Sequence, residues 1–186
     1  MVLSISKCIF AIACLACLPS CVPQPAQQGS APKTVLFEVV RNSWGAQRDE
    51  TLLYLRVYSD GSAEANPMWK VDFRNIELKK KQLPSDEVAA LRSMLIDPAT
   101  GQLQAEYSRY WGNKDFGYKY DIAISASAKE QRIALVNFQP FAARNEGKPY
   151  PQQVEKLGCS IWRLRAEVSG EPLEKDWISG CAKLGY

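Results

Sequence analysis

From Thr34 onward the chain is written in short runs in which every second residue is apolar, and that period of two limits its folds more than any other feature. Val35, Phe37 and Val39 alternate with Leu36, Glu38 and Val40, while Leu53, Leu55 and Val57 share one face of a run over Thr51 to Tyr58. Alternation of this kind suits a half-buried strand, because successive side chains leave a pleated chain on opposite faces. Asp60-Gly61 follows, and its glycine accepts the positive φ of a tight hairpin, so Ser62 to Asn66 is expected to return beside the preceding run. Further strands are expected over Val71 to Leu78, Leu103 to Tyr110, Tyr118 to Ala126 and Gln131 to Phe138. In the last two, Tyr120, Ile122 and Ile124 form one inward set and Ile133, Leu135 and Asn137 another.

Two stretches break this rhythm with a helical period. Ser85 suits an N-cap, Asp86 and Glu87 fall in the first turn where the helix dipole favours carboxylates, and Val88, Leu91 and Leu95 lie on one face. This helix should end by Asp97, because the residue before Pro98 is pushed out of the α region; a turn is expected at Thr100-Gly101. The second opens at Pro151 and runs to about Val168, with Val154, Leu157, Ile161, Leu164 and Val168 as its stripe and Gly170 and Pro172 as its stop. Gly158 interrupts the stripe; it either marks close packing against a strand or an aromatic ring or carries no meaning for the packing. The expected fold is therefore α+β: a single domain with a largely antiparallel sheet of about six to seven strands and two helices packed on one face. Each half runs hairpin, proline, helix, an order that would also fit a duplication, though no residue-level match accompanies it.

Ahead of this domain lies a different kind of sequence. Lys7 precedes an eleven-residue apolar run, Cys8 to Leu18, which ends in Leu18-Pro19-Ser20-Cys21. The run falls well short of the about 20 apolar residues of a membrane span and has the layout of a secretory signal. Leucine three positions before a cysteine, with a small residue directly before it, resembles the lipobox of bacterial lipoproteins. That resemblance covers about the first 25 residues. It implies cleavage before Cys21, a diacylglycerol thioether on its sulfur, and acylation (palmitate being the usual chain) of the new amino terminus. Pro19 is unusual within such a box. Cys14 and Cys17 also follow alanine, but neither has a large aliphatic residue three positions upstream. Val22 after Cys21, in place of Asp, resembles the outer-membrane-directed pattern, so the periplasmic face of the outer membrane is the expected location. The chain then divides into a signal peptide over 1–20, the lipidated cysteine with a proline-rich tether over 21–33, and the domain over 34–186. The strand order, the Asp-Gly hairpin and the proline-led last helix resemble small uncharacterised domains carried by bacterial lipoproteins, a likeness that implies a fold and no activity.

Composition narrows the chemistry. Of 23 basic residues only Lys7 lies in the leader, which holds no acid, so the mature chain carries 22 basic against 20 acidic residues, a net +2. That balance implies no nucleic-acid-binding face. The sequence has no histidine, which removes the commonest metal ligand, the usual base near neutral pH and every histidine-based triad. No cofactor or metal is expected. Four of the six cysteines lie in the leader or at its end, leaving Cys159 and Cys181, 22 positions apart, to form one disulfide in an oxidising compartment. Ser4-Ile5-Ser6-Lys7 spells the S-x-x-K of penicillin-binding enzymes but sits in the discarded leader.

One stretch stands out as a candidate binding site. Tyr107 to Tyr120, YSRYWGNKDFGYKY, packs six aromatics and two glycines into fourteen residues. Gly112-Asn113 reads as a turn and Gly117 as a second flexible point. Tyr110, Trp111, Phe116 and Tyr118 could form a platform that stacks on sugar rings or fills a partner's pocket. The plainer reading, which the alternation favours, is strand aromatics packing on the helices. Lys79-Lys80-Lys81 could meet an anionic surface, or, as the plainer reading, protect an edge strand. The expected function is a lipid-anchored envelope lipoprotein that binds an envelope protein or peptidoglycan without catalysis. The alternative is a histidine-independent hydrolase acting on cell-wall glycan or peptide, using acids such as Asp115 and Asp121.

Overall fold

The computed structural model describes residues 33–45, 50–67, 77–109, 117–139, 149–173 and 175–184. Seven strands form one sheet among them: β1 Val35–Trp44, β2 Glu50–Tyr58, β3 Ser62–Ala65, β4 Lys79–Gln82, β5 Glu106–Ser108, β6 Gly117–Ile124 and β7 Gln131–Val136. Their spatial order is β4-β3-β2-β1-β6-β7-β5, antiparallel throughout except for β5, which lies parallel to β7. Four helices accompany them, two more than the sequence reading expects: α1 Ser85–Ile96, α2 Pro98–Gly101, α3 Gln152–Ser169 and α4 Lys175–Ala182. The fold is thus a single α+β domain.

The sheet closes in the middle, where β1 is flanked by β2 and β6. Phe37 pairs with Val57 on one side and Ile124 on the other, and Val39 with Leu55 and Ile122, so the same inward row runs across three strands. Ile133 and Leu135 extend it on β7, Tyr107 on β5, and Ala63 and Ala65 on β3. All of these are buried. Helix α3 lies on this face. Leu157, Ile161 and Leu164 are each 1% exposed, and the stripe from Val154 to Val168 is buried along its length, as its 3.6-residue spacing predicts. Gly170, in the left-handed region at φ +73°, ends the helix.

Three local differences from the sequence reading have clear causes. In β2 the partners of Val39 and Val40 are Leu55 and Leu53, so Tyr54 is an extra residue, a bulge that flips the strand's facing. Tyr54 and Leu52 therefore turn to the core, and Leu53 goes to the opposite face from Leu55 and Val57. Ser85 is the first helical residue, not the cap: Pro84 holds the N-cap position, its carbonyl accepting from Val88 N, and no side chain caps the helix. Asp97 does end α1, and its carboxylate accepts from Ala99 N at 2.7 Å, capping the short α2 where only a turn is expected.

Most of the strand expected over Val71 to Leu78 falls outside the described residues, and Glu77 and Leu78 are not in a strand. The observed strand is instead the lysine run of β4, which Leu83 N donating to Gly61 O and Gln82 Nε2 donating to Asp60 O tie to the hairpin turn. This strand lies at the sheet's edge with all four residues exposed. Cys159 of α3 and Cys181 of α4 are joined by a disulfide that holds the last helix against the main one. Ile178 in α4 is half exposed.

Candidate functional site

The two faces of the sheet offer different chemistry. On the helix-covered face six aromatic rings pack edge to face: Tyr54 against Tyr120 at 4.9 Å, Tyr120 against Trp162 at 4.8 Å, Tyr118 against Tyr120 at 5.4 Å and Phe138 against Tyr150 at 4.8 Å between centroids. Edge-to-face geometry sets the positive rim of one ring on the negative face of the next. Gly158 is where this cluster meets α3. A Cβ there would lie 2.8 Å from Phe138 Cζ and 3.3 Å from Trp162 Cζ3, so the glycine marks the close aromatic packing its place in the stripe suggests.

Two arginines enter the same region. The Arg165 guanidinium sits 5.2 Å from the Tyr54 ring centroid, donates to Glu171 at 2.6 Å and to Asn66 O at 3.2 Å, and is almost wholly buried. Arg41 lies over the Tyr118 ring at 5.6 Å. Burial pushes the Tyr54 hydroxyl well above the usual tyrosine pKa, with Tyr120 beside it adding to the shift. Burial raises Tyr120 and Tyr118 as well, against the opposing charge of Arg41. These phenols stay protonated and serve as packing groups with a polar handle.

Of the four aromatics proposed from sequence as a platform, Tyr110, Trp111 and Phe116 lie outside the described residues, as does Asp115. Tyr118 lies in β6 on the helix side of the sheet, its hydroxyl donating to Phe138 O at 3.0 Å and its ring against Tyr120. The structure gives it a place at the margin of the core. Gly117, read as a flexible point, is a strand residue: a Cβ there would come within 2.8 Å of both Trp44 Cε2 and Asn137 Oδ1, so the absence of a side chain lets the Trp44 ring lie on the backbone. Asn137 holds the neighbouring turn. It takes φ +49°, accepts from Tyr118 N through Oδ1 at 3.0 Å and returns its own N–H to Tyr118 O at 2.8 Å. Asparagine tolerates this left-handed conformation better than most residues. Cys21 also lies outside the described residues.

The opposite face carries no helix among the described residues. Its central feature is a trough of about 490 Å³ that Glu38, Val40, Asp121, Ala123, Arg132 and Ala134 help to line. It exists because the outward residues of β6 and β7 at its floor, Ala123 and Ala134, are small, whereas the charged groups at its rim are long. Glu38 pairs in register with Ala123 and Val40 with Asp121, so Glu38 and Asp121 are diagonal neighbours, about 7–8 Å apart in a regular antiparallel pair. Each carboxylate already has a cation: Glu38 meets Arg56 at 2.5 Å, and Asp121 meets Lys119 at 3.1 Å and accepts from Asn42 Nδ2 at 2.6 Å. The trough can receive an extended chain or a ring on its apolar floor, with polar contacts at its margins.

Among the described residues, no three side chains of Asp, Glu and Cys come together where they could hold a metal ion. No described helix is long and apolar enough to cross a membrane. Searches against protein-family models and curated proteins find no match to this chain.

Proposed function

We propose that the chain is a lipid-anchored cell-envelope lipoprotein whose domain is a non-catalytic binding or interaction module on the periplasmic face of the outer membrane. The observation that carries this reading is Leu18-Pro19-Ser20-Cys21 at the end of an eleven-residue apolar run. The Cys159–Cys181 bond supports it, since such bonds persist in oxidising compartments. Anchoring by several acyl chains, at about 0.8 kcal/mol per buried CH₂, leaves negligible free protein. The surface for a partner, an envelope protein or peptidoglycan, is the open face of the sheet with its trough.

Two experiments test the two halves. Replacing Cys21 with Ala should move the protein from the detergent phase to the aqueous phase and remove the acyl mass from its amino-terminal peptide. A wild-type protein with an unmodified Cys21 thiol sinks the anchoring. A photo-crosslinking residue at Ala123, in the trough, should capture a partner in intact cells, and one at Ile96, exposed on the helical side, should not. Equal capture from both positions removes the open face as the binding surface. The hydrolase reading has Glu38 and Asp121 to draw on, and it predicts that either change to Gln abolishes cleavage of cell-wall material while capture persists.

A further inference from the structure

Eight charged residues of this domain form two alternating rows that end at the same rim. On the open face, residues paired in register across four strands form one row: Glu38 on β1, Arg56 on β2, Glu64 on β3 and Lys80 on β4. Successive partners lie 2.5, 3.6 and 3.4 Å apart. On the helical side, Glu87 of α1, Arg163 and Glu167 of α3, and Lys81 of β4 form the second, with Arg163 3.6 Å and Lys81 2.7 Å from Glu167. Within such a row each charge has an opposite neighbour on both sides. The last charge has only one, so both rows present a lysine outward.

Lys79, which precedes them at the start of β4, has no ion pair among the described residues, and every residue of β4 is exposed. Glu64 and Glu167, the acids that Lys80 and Lys81 touch, are held by Arg56 and Arg163 as well. They sit one layer in from the rim, with side chains 14% and 28% exposed against 72% for Lys80.

The place where the chain joins the fold is beside this rim. Gln82, the last residue of β4, donates to Asp60 O at 2.7 Å in the turn between β2 and β3. Lys33 lies over Tyr58 at 3.7 Å from the ring centroid, and Thr34 N donates to Ser59 Oγ at 3.1 Å in the same turn. Twelve positions separate Lys33 from Cys21, which bounds the reach of the tether at about 40 Å.

We propose that Lys79, Lys80 and Lys81, with Lys33 beside them, dock the domain on anionic lipid headgroups of the membrane that holds its anchor. The inference rests on the lipid anchoring proposed above. A tether this short keeps the local headgroup concentration high, so a contact too weak to hold a free protein is enough to orient an anchored one. The same lysines keep the edge of the sheet from pairing with another strand, so one set of charges does both tasks.

The test uses the mature lipidated protein on vesicles of phosphatidylcholine alone and of phosphatidylcholine mixed with phosphatidylglycerol, with acetylation of lysine amines read by mass spectrometry. On the anionic vesicles Lys79, Lys80 and Lys81 should be about fivefold less reactive relative to Lys119, the factor that one lysine's attraction to a charged surface amounts to. Added salt should abolish the difference. Glu77→Gln, which removes the exposed acid just upstream, should deepen it. Changing all three lysines to Gln should release the protection of Lys33. Equal reactivity of all lysines on both vesicles, in protein that floats with them, overturns the docking and leaves the anchor intact. Protein that floats with neither vesicle overturns the anchor and the docking together.

Discussion

The two faces of the sheet are built from the same strands and solve opposite problems. The helical face excludes water with branched aliphatics and edge-to-face aromatics, and the arginine it buries, Arg165, meets a carboxylate, a carbonyl and a ring. The open face keeps its charges in water and balances them along a row in register. If the open face is the binding surface as proposed, stability and recognition are separated by facing, one residue apart along each strand. A change on one face should unfold the domain; on the other it should alter only what the domain touches.

Truncation of Trp162 should break the first face most severely. Its ring contacts Tyr54, Tyr120 and Phe138, so Trp162→Ala should cost about 3–5 kcal/mol and lower the melting temperature by about ten degrees or more. Leu53→Ala on the open face should cost about 1 kcal/mol. Comparable losses in thermal melts of the two variants would erase the distinction. Alkaline titration sharpens it. The pKa values of Tyr54, Tyr118 and Tyr120 are raised in the fold, chiefly by burial. The folded protein therefore holds more protons between the unfolded and folded values. The stabilisation is complete below the ordinary tyrosine value of about 10 and is lost as pH rises through and beyond it. Tyrosinate absorbance from these three residues should appear only together with unfolding, and a smooth titration in folded protein would contradict their burial.

Removing the disulfide should rank next. Cys159 and Cys181 are 1% and 6% exposed and close a loop of 22 residues. The chain-entropy account puts such a loop at about 3 kcal/mol. The double Ala variant should melt lower by that amount yet keep its open face, so capture of a partner through Ala123 should persist at temperatures where the domain stays folded. Loss of capture without unfolding would show that α4 shapes the binding surface as well.

What the sequence made legible divides along the same line. Phe37 and Val39 of β1, Tyr120, Ile122 and Ile124 of β6, Ile133 and Leu135 of β7 and the stripe of α3 were readable because burial imposes a period on residues near one another in the chain, whereas the irregularity that turns Leu36 rather than Val35 to the core was not. The two domain cysteines were readable by count. The bulge at Tyr54 was not, since one extra residue in β2 has meaning only against its partner in β1. The lysines' place at a sheet edge was legible, but the bounds of β4 were missed for a related reason: three lysines and a glutamine show no apolar alternation, and only the register against β3 makes them a strand. The trough was invisible because its floor and rim come from strands far apart in sequence whose outward residues, such as Val40, Asp121 and Ala134, form no local pattern. Tyr118 was legible as an aromatic at a strand's start but not as one whose hydroxyl is committed to Phe138 O.

The smallest effect is expected from the row of charges on the open face, and it is the one that most directly tests what that face is for. Arg56 stands between Glu38 and Glu64, with side chains 30% and 14% exposed at either hand and its own 31% exposed. Exposed pairs of this sort contribute about 0.2–1 kcal/mol, and water screens the central cation here. A double-mutant cycle of Arg56→Ala and Glu38→Ala should therefore give a coupling below about 1 kcal/mol, reduced further by added salt. A coupling of several kcal/mol would mean that the row is part of what holds the sheet together, and the open face would no longer be free to be shaped by a partner. A small, salt-sensitive coupling leaves the row as a surface pattern, whose register can then be exchanged for contacts with whatever the trough receives.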